Sequence, residues 1–408
     1  MNFFICHGKL ITDSGIIPNP GLWISGGKLA ASSPSGLKKY GFGTISHEHQ
    51  YVQINADSMY IAPGFIDLHI HGGNGHDLLE GTDEAVLAVA SYHARGGTTS
   101  FLATFTPAPT KVLDQAFSTI NSFSNRSTGG AQLLGIHLEG PFLNPKRCGA
   151  INPAYLKMVC LQELNRMMAV CKNSLKMMTV APELPGCNAI IEMLVQEGVV
   201  VAAGHSEANY ETALSSFKAG ITHATHLFNA SIPLHHRKPG LVGAVLECNE
   251  ISAEIITDGY HLHPAIIKLI LSIKGSRGLT LGTDAVSSAG MPDGEYLFND
   301  QKVMKVNKKI TLPDGSLAGS SLTMIDAVKN MVHFTGIPLH KAIRMSSLNP
   351  ARLLGIEKSK GKLAPGMDAD LVLLDQDLNV KITMVQGEIV YKDEYSGSKA
   401  RNPATDNL

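Results

Sequence analysis

Short apolar runs alternate with longer amphipathic stretches across the middle of this chain. None of the runs exceeds seven residues, which is the length of a strand buried on both faces. Eight such runs occur, at residues 65–71, 98–104, 133–138, 177–181, 199–203, 221–225, 251–257 and 279–283. This pattern predicts eight buried parallel strands.

Helical patterns follow most of these runs. Several of them open with proline or acidic residues or end at glycine, as helix ends commonly do. The predicted helices are 83–95, 110–123, 153–171, 186–197, 207–219, 241–248, 264–274, 323–334 and 339–354. Strands connected by helices indicate the α/β class, and eight of them predict a (β/α)8 TIM-type barrel.

A doubly wound sheet is the structural alternative. That fold usually has a glycine-rich phosphate turn after its first strand. Here His69-Ile70-His71-Gly72-Gly73 occupies that position, which argues against dinucleotide binding.

The two ends of the chain differ from this pattern, because short apolar runs there lie between turn residues. We expect segments 1–62 and 362–408 to form one small β-sandwich domain. Residues 63–361 would form the barrel, with a β insertion near 294–319, and residues 396–408 would be a frayed tail.

Composition excludes several classes of protein. The 408 residues include 34 basic and 35 acidic side chains and are 44% apolar. This balance offers no electrostatic footprint for nucleic acid or an anionic membrane, and the apolar content is too high for disorder. We find no run near the roughly 20 apolar residues of a membrane helix and no secretory signal. The six cysteines form no CxxC pair, which favours a reducing cytoplasm.

The 17 histidines become informative through their positions. Active sites of α/β barrels lie at the C-terminal ends of the strands. Five of the eight predicted strand ends carry side chains that can bind a metal, namely His69, His71, Glu139, His205, His226 and Asp284. Zinc and iron accept this mixture of imidazole and carboxylate. The sequence therefore predicts a divalent metal centre.

Metal-assisted hydrolysis is the chemistry that such a centre favours. A neighbouring carboxylate would take a proton from water and deliver it to the leaving amine. The pattern leaves this role open between Asp284 and Asp258. Arg237, in a loop with glycine and proline, could bind a phosphate or carboxylate. No GxSxG sequence supports a serine nucleophile.

Several motifs in the chain resemble those of a known family. The chain is similar to the N-acetylglucosamine-6-phosphate deacetylases of the metal-dependent amidohydrolase superfamily, from about residue 62 to residue 370. The motifs that carry the resemblance are Pro63-Gly64-Phe65-Ile66-Asp67, His137-Leu138-Glu139-Gly140-Pro141, Gly204-His205-Ser206, Thr225-His226-Leu227-Phe228-Asn229-Ala230, Asp258-Gly259-Tyr260-His261, Thr283-Asp284-Ala285 and Leu317-Ala318-Gly319-Ser320-Ser321-Leu322-Thr323.

The resemblance implies a role for each matching residue. Glu139, His205 and His226 would be the principal metal ligands, and Asp284 the catalytic acid and base in preference to Asp258. The remaining matches would bind the substrate, N-acetylglucosamine 6-phosphate. His261 would contact the sugar and help to polarise the acetyl carbonyl. Asn229, Ala230 and Arg237 would bind the phosphate, Ala150 the sugar, and Leu317 would border the acetyl methyl group.

Family members are typically homodimers, so Arg237 could serve the neighbouring subunit. The implied reaction yields glucosamine 6-phosphate and acetate in amino-sugar catabolism. Two alternatives remain: another amidohydrolase, such as a cyclic amidase or a deaminase, and an inactive relative acting as a binding or assembly protein.

Two departures from the family pattern alter these expectations. Some members have glutamine and asparagine at the positions of His69 and His71 and bind one ion, so the histidine pair makes a second ion possible, with Asp284 as shared ligand. Ile151 and Ser231 replace a usual histidine and methionine. A polar substrate contact at position 151 is therefore not expected.

Overall fold

The computed structural model describes residues 1–19, 21–30, 51–124 and 126–393. The first part of the chain is β, because its short apolar runs lie between turn residues and show no helical period. Its strands are β1 (Phe3–Cys6), β2 (Lys9–Thr12), β3 (Gly15–Pro18), β4 (Leu22–Ser25), β5 (Lys28–Ala30), β6 (Val52–Asn55) and β7 (Tyr60–Pro63).

A parallel sheet of eight strands forms the centre of the molecule, and each predicted apolar run contributes one strand. The barrel strands are β8 (Phe65–Ile70), β11 (Thr98–Phe105), β12 (Gln132–Glu139), β13 (Leu175–Val180), β14 (Val200–Ala203), β15 (His223–Ala224), β16 (Ser252–Ile255) and β17 (Leu279–Leu281). A two-stranded ribbon of β9 (Gly72–Gly73) and β10 (His76–Asp77) follows β8. The predicted α/β barrel is confirmed.

The first and last barrel strands meet at their C-terminal ends. The Asp284 amide donates to the His69 carbonyl at 3.0 Å, and the His71 amide donates to the Ala285 carbonyl at 2.9 Å. Ile70 and Ala285 form a parallel bridge. These contacts nearly close the barrel and bring Asp284 beside two histidines that lie more than 200 residues earlier in the chain.

Helices cover the barrel, and side chains cap several of their first turns. The Thr82, Asn209 and Thr323 side chains each accept a bond from a backbone amide, which satisfies a donor that has no partner inside the helix. The helices are α1 (Asp83–Arg95), α2 (Thr110–Ser122), α3 (Leu161–Cys171), α4 (Cys187–Gln196), α5 (Tyr210–Ala219), α6 (Gly240–Glu247), α7 (Pro264–Lys274), α8 (Met324–Thr335), α9 (Leu339–Ser346) and α10 (Leu348–Leu353). Short 3-10 helices cover Leu78–Glu80, Pro145–Arg147, Pro153–Tyr155 and Lys172–Ser174.

Two further groups of strands follow the barrel. An antiparallel sheet forms from β18 (Gly294–Phe298), β19 (Gln301–Val306) and β20 (Lys309–Thr311). The last strands are β21 (Leu371–Leu374), β22 (Val380–Val385) and β23 (Glu388–Lys392). They join β7, β2 and β3 in a six-stranded sheet, in which β7 pairs with β21.

The small domain is a sandwich of this six-stranded sheet and the sheet of β5, β4, β1 and β6. Ile5 and Ile24 of one sheet share a buried core with Ile61, Leu371 and Met384 of the other. The predicted sandwich of N- and C-terminal segments is confirmed, whereas the proposed domain boundaries stay predictions. The predicted tail 396–408 lies outside the described residues.

Two predicted helices are wrong in extent. Residues 153–171 contain a 3-10 turn and then α3, because the backbone of Leu156 is extended and the Lys157 amide donates to the Pro141 carbonyl. Residues 339–354 form α9 and α10, with a break at Ser347. Pro350 lacks an amide hydrogen and its ring crowds the preceding turn, which accounts for the break. Along the described chain, no helix has the length and apolarity to cross a membrane.

Candidate metal centre and pocket

Two groups of three side chains converge at the C-terminal mouth of the barrel. The first comprises His69 on β8, His71 just after it, and Asp284 after β17. The His71 Nε2 atom lies 3.2 Å from His69 Nε2 and 3.1 Å from Asp284 Oδ1. Residues at positions i and i+2 of an extended chain point to the same face, which explains how both imidazoles reach one point. All three side chains are buried.

The second group comprises Glu139 at the end of β12, His205 after β14 and His226 after β15. The Nε2 atoms of the two histidines each lie 3.0 Å from Glu139 Oε1 and 3.1 Å from one another. Glu139 also faces the first group, since its carboxylate oxygens lie 3.5 Å from His69 Nε2 and 3.5 Å from His71 Nε2. The two groups therefore share one pocket floor.

The carboxylates of both groups are held in the ionised form. Burial opposes the charge of Glu139, but His69, His205 and His226 outweigh it and hold the pKa of Glu139 well below its usual range. Burial likewise opposes the charge of Asp284, and His69 and His71 lower the pKa of Asp284 to about 2. Negative charge is thus concentrated where the imidazole nitrogens converge.

The hydrogen bonds around the histidines fit a divalent cation. His205 Nδ1 lies 2.8 Å from the Arg147 carbonyl, and His69 Nδ1 lies 2.9 Å from Glu254 Oε1. Each Nδ1 therefore carries a hydrogen, which leaves Nε2 as the nitrogen available to a metal. Burial opposes the charge of His69, but Glu254, Glu139 and Asp284 raise the pKa of His69 well above its usual value, so a metal bound at Nε2 would displace a proton there. In each group, three ligand atoms lie within 4.8 Å of one another. Lone pairs and carboxylate oxygens at this spacing suit a metal such as zinc or iron.

The backbone at three of these positions adopts the left-handed region, which non-glycine residues rarely enter. The φ angles are 49° at His205, 28° at His226 and 50° at Asp284. Such strain is concentrated at functional sites, where the surrounding structure holds it. We conclude that the backbone at the mouth of the barrel is shaped to aim these side chains.

A pocket of about 270 Å³ lies above the two groups. Five of the six predicted substrate-binding residues line this pocket, and these are Ala150, Asn229, Ala230, His261 and Leu317. The exception is Arg237, which is exposed and lies outside this lining. The buried Ile151 also borders the pocket, so the wall at that position is apolar.

His261 is fixed by the carboxylate that sequence pattern left as an alternative proton carrier. Asp258 Oδ2 lies 2.7 Å from His261 Nδ1. Burial opposes the charge of Asp258, but the bonds with His261 lower the pKa of Asp258 below its usual value. Because Nδ1 is occupied, Nε2 is the nitrogen that His261 can offer to a ligand. Asp258 does not line the pocket.

The three-stranded insertion forms one side of the pocket. The Phe298 ring packs edge-on against the His71 ring, with 5.4 Å between the centroids. The Gln301 side chain donates to the Ala150 carbonyl at 2.8 Å. The insertion thus supports both a candidate ligand and the loop that carries Ala150 and Ile151.

Buried polar residues lie beneath the site, and sequence reasoning missed Glu254 among them. Glu254 is fully buried on β16, and Asp67 accepts a bond from the Thr283 hydroxyl at 2.6 Å. His137 lies between the Thr104 and Thr179 hydroxyls, and burial, together with the neighbouring His69, lowers the pKa of His137 to about 3. A signal for Glu254 existed, since it is the one charged residue within the apolar run at 251–257.

The chain is similar to known proteins over most of its length. The model of the amidohydrolase family matches residues 60–390. An N-acetylgalactosamine-6-phosphate deacetylase of Escherichia coli is 35% identical over 381 residues, which cover 93% of this chain and 97% of the relative. An N-acetylglucosamine-6-phosphate deacetylase of Lysinibacillus sphaericus is 35% identical over 390 residues, covering 95% and 98%.

A solved structure of N-acetylglucosamine-6-phosphate deacetylase from Pasteurella multocida is also similar. It superposes with a TM-score of 0.87 at 29% identity, covering 95% of this chain and 99% of that one. The likeness spans both the barrel and the terminal sheets. The chain therefore belongs to the amidohydrolase family and, within it, to the family of the N-acetylglucosamine-6-phosphate deacetylases.

Proposed function

We propose that this chain hydrolyses the acetamide of N-acetylglucosamine 6-phosphate to glucosamine 6-phosphate and acetate, as a step of amino-sugar catabolism. The observation that carries the proposal is the convergence of two ligand groups on the floor of one pocket. The proposal is supported by 35% identity over 95% of the chain to a relative that bears this name.

Metal binding is assigned to the two groups at the mouth of the barrel. Glu139, His205 and His226 would hold one divalent ion, and His69, His71 and Asp284 a second, with zinc as the first candidate and iron as the next. When bound, an ion there supplies Lewis-acid polarisation of a carbonyl and lowers the pKa of water.

Proton transfer is assigned to Asp284. Its low pKa keeps it ionised at neutral pH, so it can accept the proton of the attacking water. The water oxygen bonds to the acetyl carbon, the carbon–nitrogen bond breaks, and Asp284 returns the proton to the departing amine. His261, held by Asp258, would contact the sugar through Nε2 and help to polarise the acetyl carbonyl.

Substrate recognition is assigned to the remaining pocket residues. Asn229 and the Ala230 backbone would bind the phosphate, Ala150 would contact the sugar and Leu317 would border the acetyl methyl group. Arg237 is exposed in its own subunit. In a homodimer its guanidinium would complete the phosphate site of the neighbouring subunit, where Arg favours bidentate contact with phosphate.

A cytoplasmic location suits this reaction. All six cysteines lie among the described residues and none forms a disulfide. Free thiols are typical of a reducing compartment.

The epimer N-acetylgalactosamine 6-phosphate is a second candidate substrate, because a relative with that specificity in its name is 35% identical over 93% of the chain. Acetate release should be measured with both sugar phosphates on the zinc-loaded and the iron-loaded protein. A higher kcat/KM with the glucosamine derivative supports the proposal, and a higher value with its epimer supports the second candidate. Bound metal without acetate release from either would favour another amidohydrolase reaction.

A further inference from the structure

Glu254 links the two candidate metal groups from below. Its side chain is fully buried on β16. The Oε1 atom lies 2.9 Å from His69 Nδ1 and 3.1 Å from the backbone nitrogen of His226. One carboxylate oxygen thus contacts a member of each group.

These two bonds have different effects on the site. As acceptor for His69 Nδ1–H, Glu254 fixes the tautomer in which Nε2 is free to bind a metal. As acceptor for the His226 amide, it supports a backbone that has a φ of 28°. Among the described residues, Oε2 has no hydrogen-bond partner, so these bonds are the only ones that the carboxylate makes there.

The barrel makes room for this carboxylate at one glycine. A Cβ atom at Gly282 would lie 2.6 Å from Glu254 Cδ and 2.8 Å from Oε2. A buried carboxylate costs free energy even when it is hydrogen-bonded. Because Gly282 has no side chain, the Glu254 carboxylate has room to lie beneath the two histidines and contact them.

We propose that Glu254 is a positioning residue that holds His69 in its Nδ1–H form and supports the His226 backbone, and so raises the affinity of both groups for a divalent ion. The inference rests on the proposed function, because it needs the two groups to bind metal.

Two variants and one control test the positioning role of Glu254 in the full-length protein. Glu254→Gln removes the charge but keeps the shape. Gly282→Ala keeps the carboxylate but displaces it. Thr280→Val is the control, because Thr280 is buried, pairs with Glu254 across β16 and β17, and has a hydroxyl without a partner among the described residues.

The probe is Zn²⁺, with affinity measured by competition with a chromophoric chelator and ions per subunit counted by elemental analysis. Both test variants should bind zinc roughly tenfold to hundredfold more weakly than wild type, the usual effect of removing or displacing a group that supports a metal ligand. The control should match wild type. Thermal unfolding of the zinc-free proteins separates a loss of affinity from a loss of fold, and Gly282→Ala carries the test if Glu254→Gln does not fold.

A second readout needs no variant. In a long-range ¹H–¹⁵N spectrum of the zinc-loaded wild type, His69 should carry its hydrogen on Nδ1. Wild-type zinc affinity in both folded variants would overturn the inference while leaving the proposed function intact. A hydrogen on His69 Nε2 would overturn the inference and the assignment of His69 to the second ion, but not the proposed hydrolysis. A wild-type protein that binds no zinc would instead overturn the proposed function and this inference with it.

Discussion

His205 and His226 present their Nε2 atoms to each other at 3.1 Å. The Nδ1 atom of His205 faces the Arg147 carbonyl at 2.8 Å, so its hydrogen lies there and not between the rings. The same Glu139 oxygen lies 3.0 Å from both nitrogens. Three potential ligand atoms can lie this close together when they share a cation or a proton, and a divalent ion bound to all three would serve this purpose. This relationship is the structural basis for assigning a metal to the site.

Metal removal should inactivate and destabilise the protein. A ligand that binds only the folded chain raises its stability, so chelation should lower the thermal midpoint and abolish acetate release, and added Zn²⁺ should restore both. Glu139→Gln should lose the ion held with His205 and His226, and its thermal midpoint should respond less to added Zn²⁺ than that of wild type. The same zinc response in this variant as in wild type would argue against Glu139 as a ligand.

The exposed loop residue Arg237 should act on the phosphate. Arg237→Ala should raise the KM for the sugar phosphate roughly tenfold to hundredfold, because a hydrogen bond between charged groups contributes about 1.5–3 kcal/mol. The kinetics of unphosphorylated N-acetylglucosamine should not change. Lys238→Ala is the matched control, since Lys238 is an equally exposed neighbouring cation. Equal effects of the two substitutions would indicate a general loss of positive charge instead of a specific contact.

Much of the barrel was predictable because its strands are nearly continuous apolar runs bounded by turn residues. The ligand positions were predictable because a barrel places strand ends at one mouth. The pairing of β7 with β21 could not be predicted, because it joins segments some 300 residues apart in the chain. Glu254 was missed because a single charge within an apolar run reads as a local exception until the facing histidines are known.

Buried His93 should make stability depend on pH. It donates from Nε2 to the Gly72 carbonyl at 3.0 Å, and burial lowers the pKa of His93 from 6.5 to about 4. Between these values the unfolded chain binds a proton that the folded chain does not, so stability falls as pH decreases through this window. The contribution lost is about 3 kcal/mol at most.

Urea unfolding of wild type and His93→Gln at about pH 7.5 and about pH 5 measures the contribution of His93 to the free energy of unfolding. The variant should lose less stability than wild type on acidification. The matched control is His333→Gln, because His333 is exposed on α8. The control should lose as much as wild type on acidification, and equal acid sensitivity in all three proteins would contradict the assignment to His93.

The most direct test of the proposed reaction is acetate release from N-acetylglucosamine 6-phosphate by wild type and Asp284→Asn, with zinc content measured on the same samples. The account predicts that the variant retains zinc at Glu139, His205 and His226 but loses on the order of a hundredfold to ten-thousandfold in kcat, the usual contribution of general acid–base catalysis. Near-normal turnover in a zinc-loaded Asp284→Asn protein, or no acetate from zinc-loaded wild type, would contradict it.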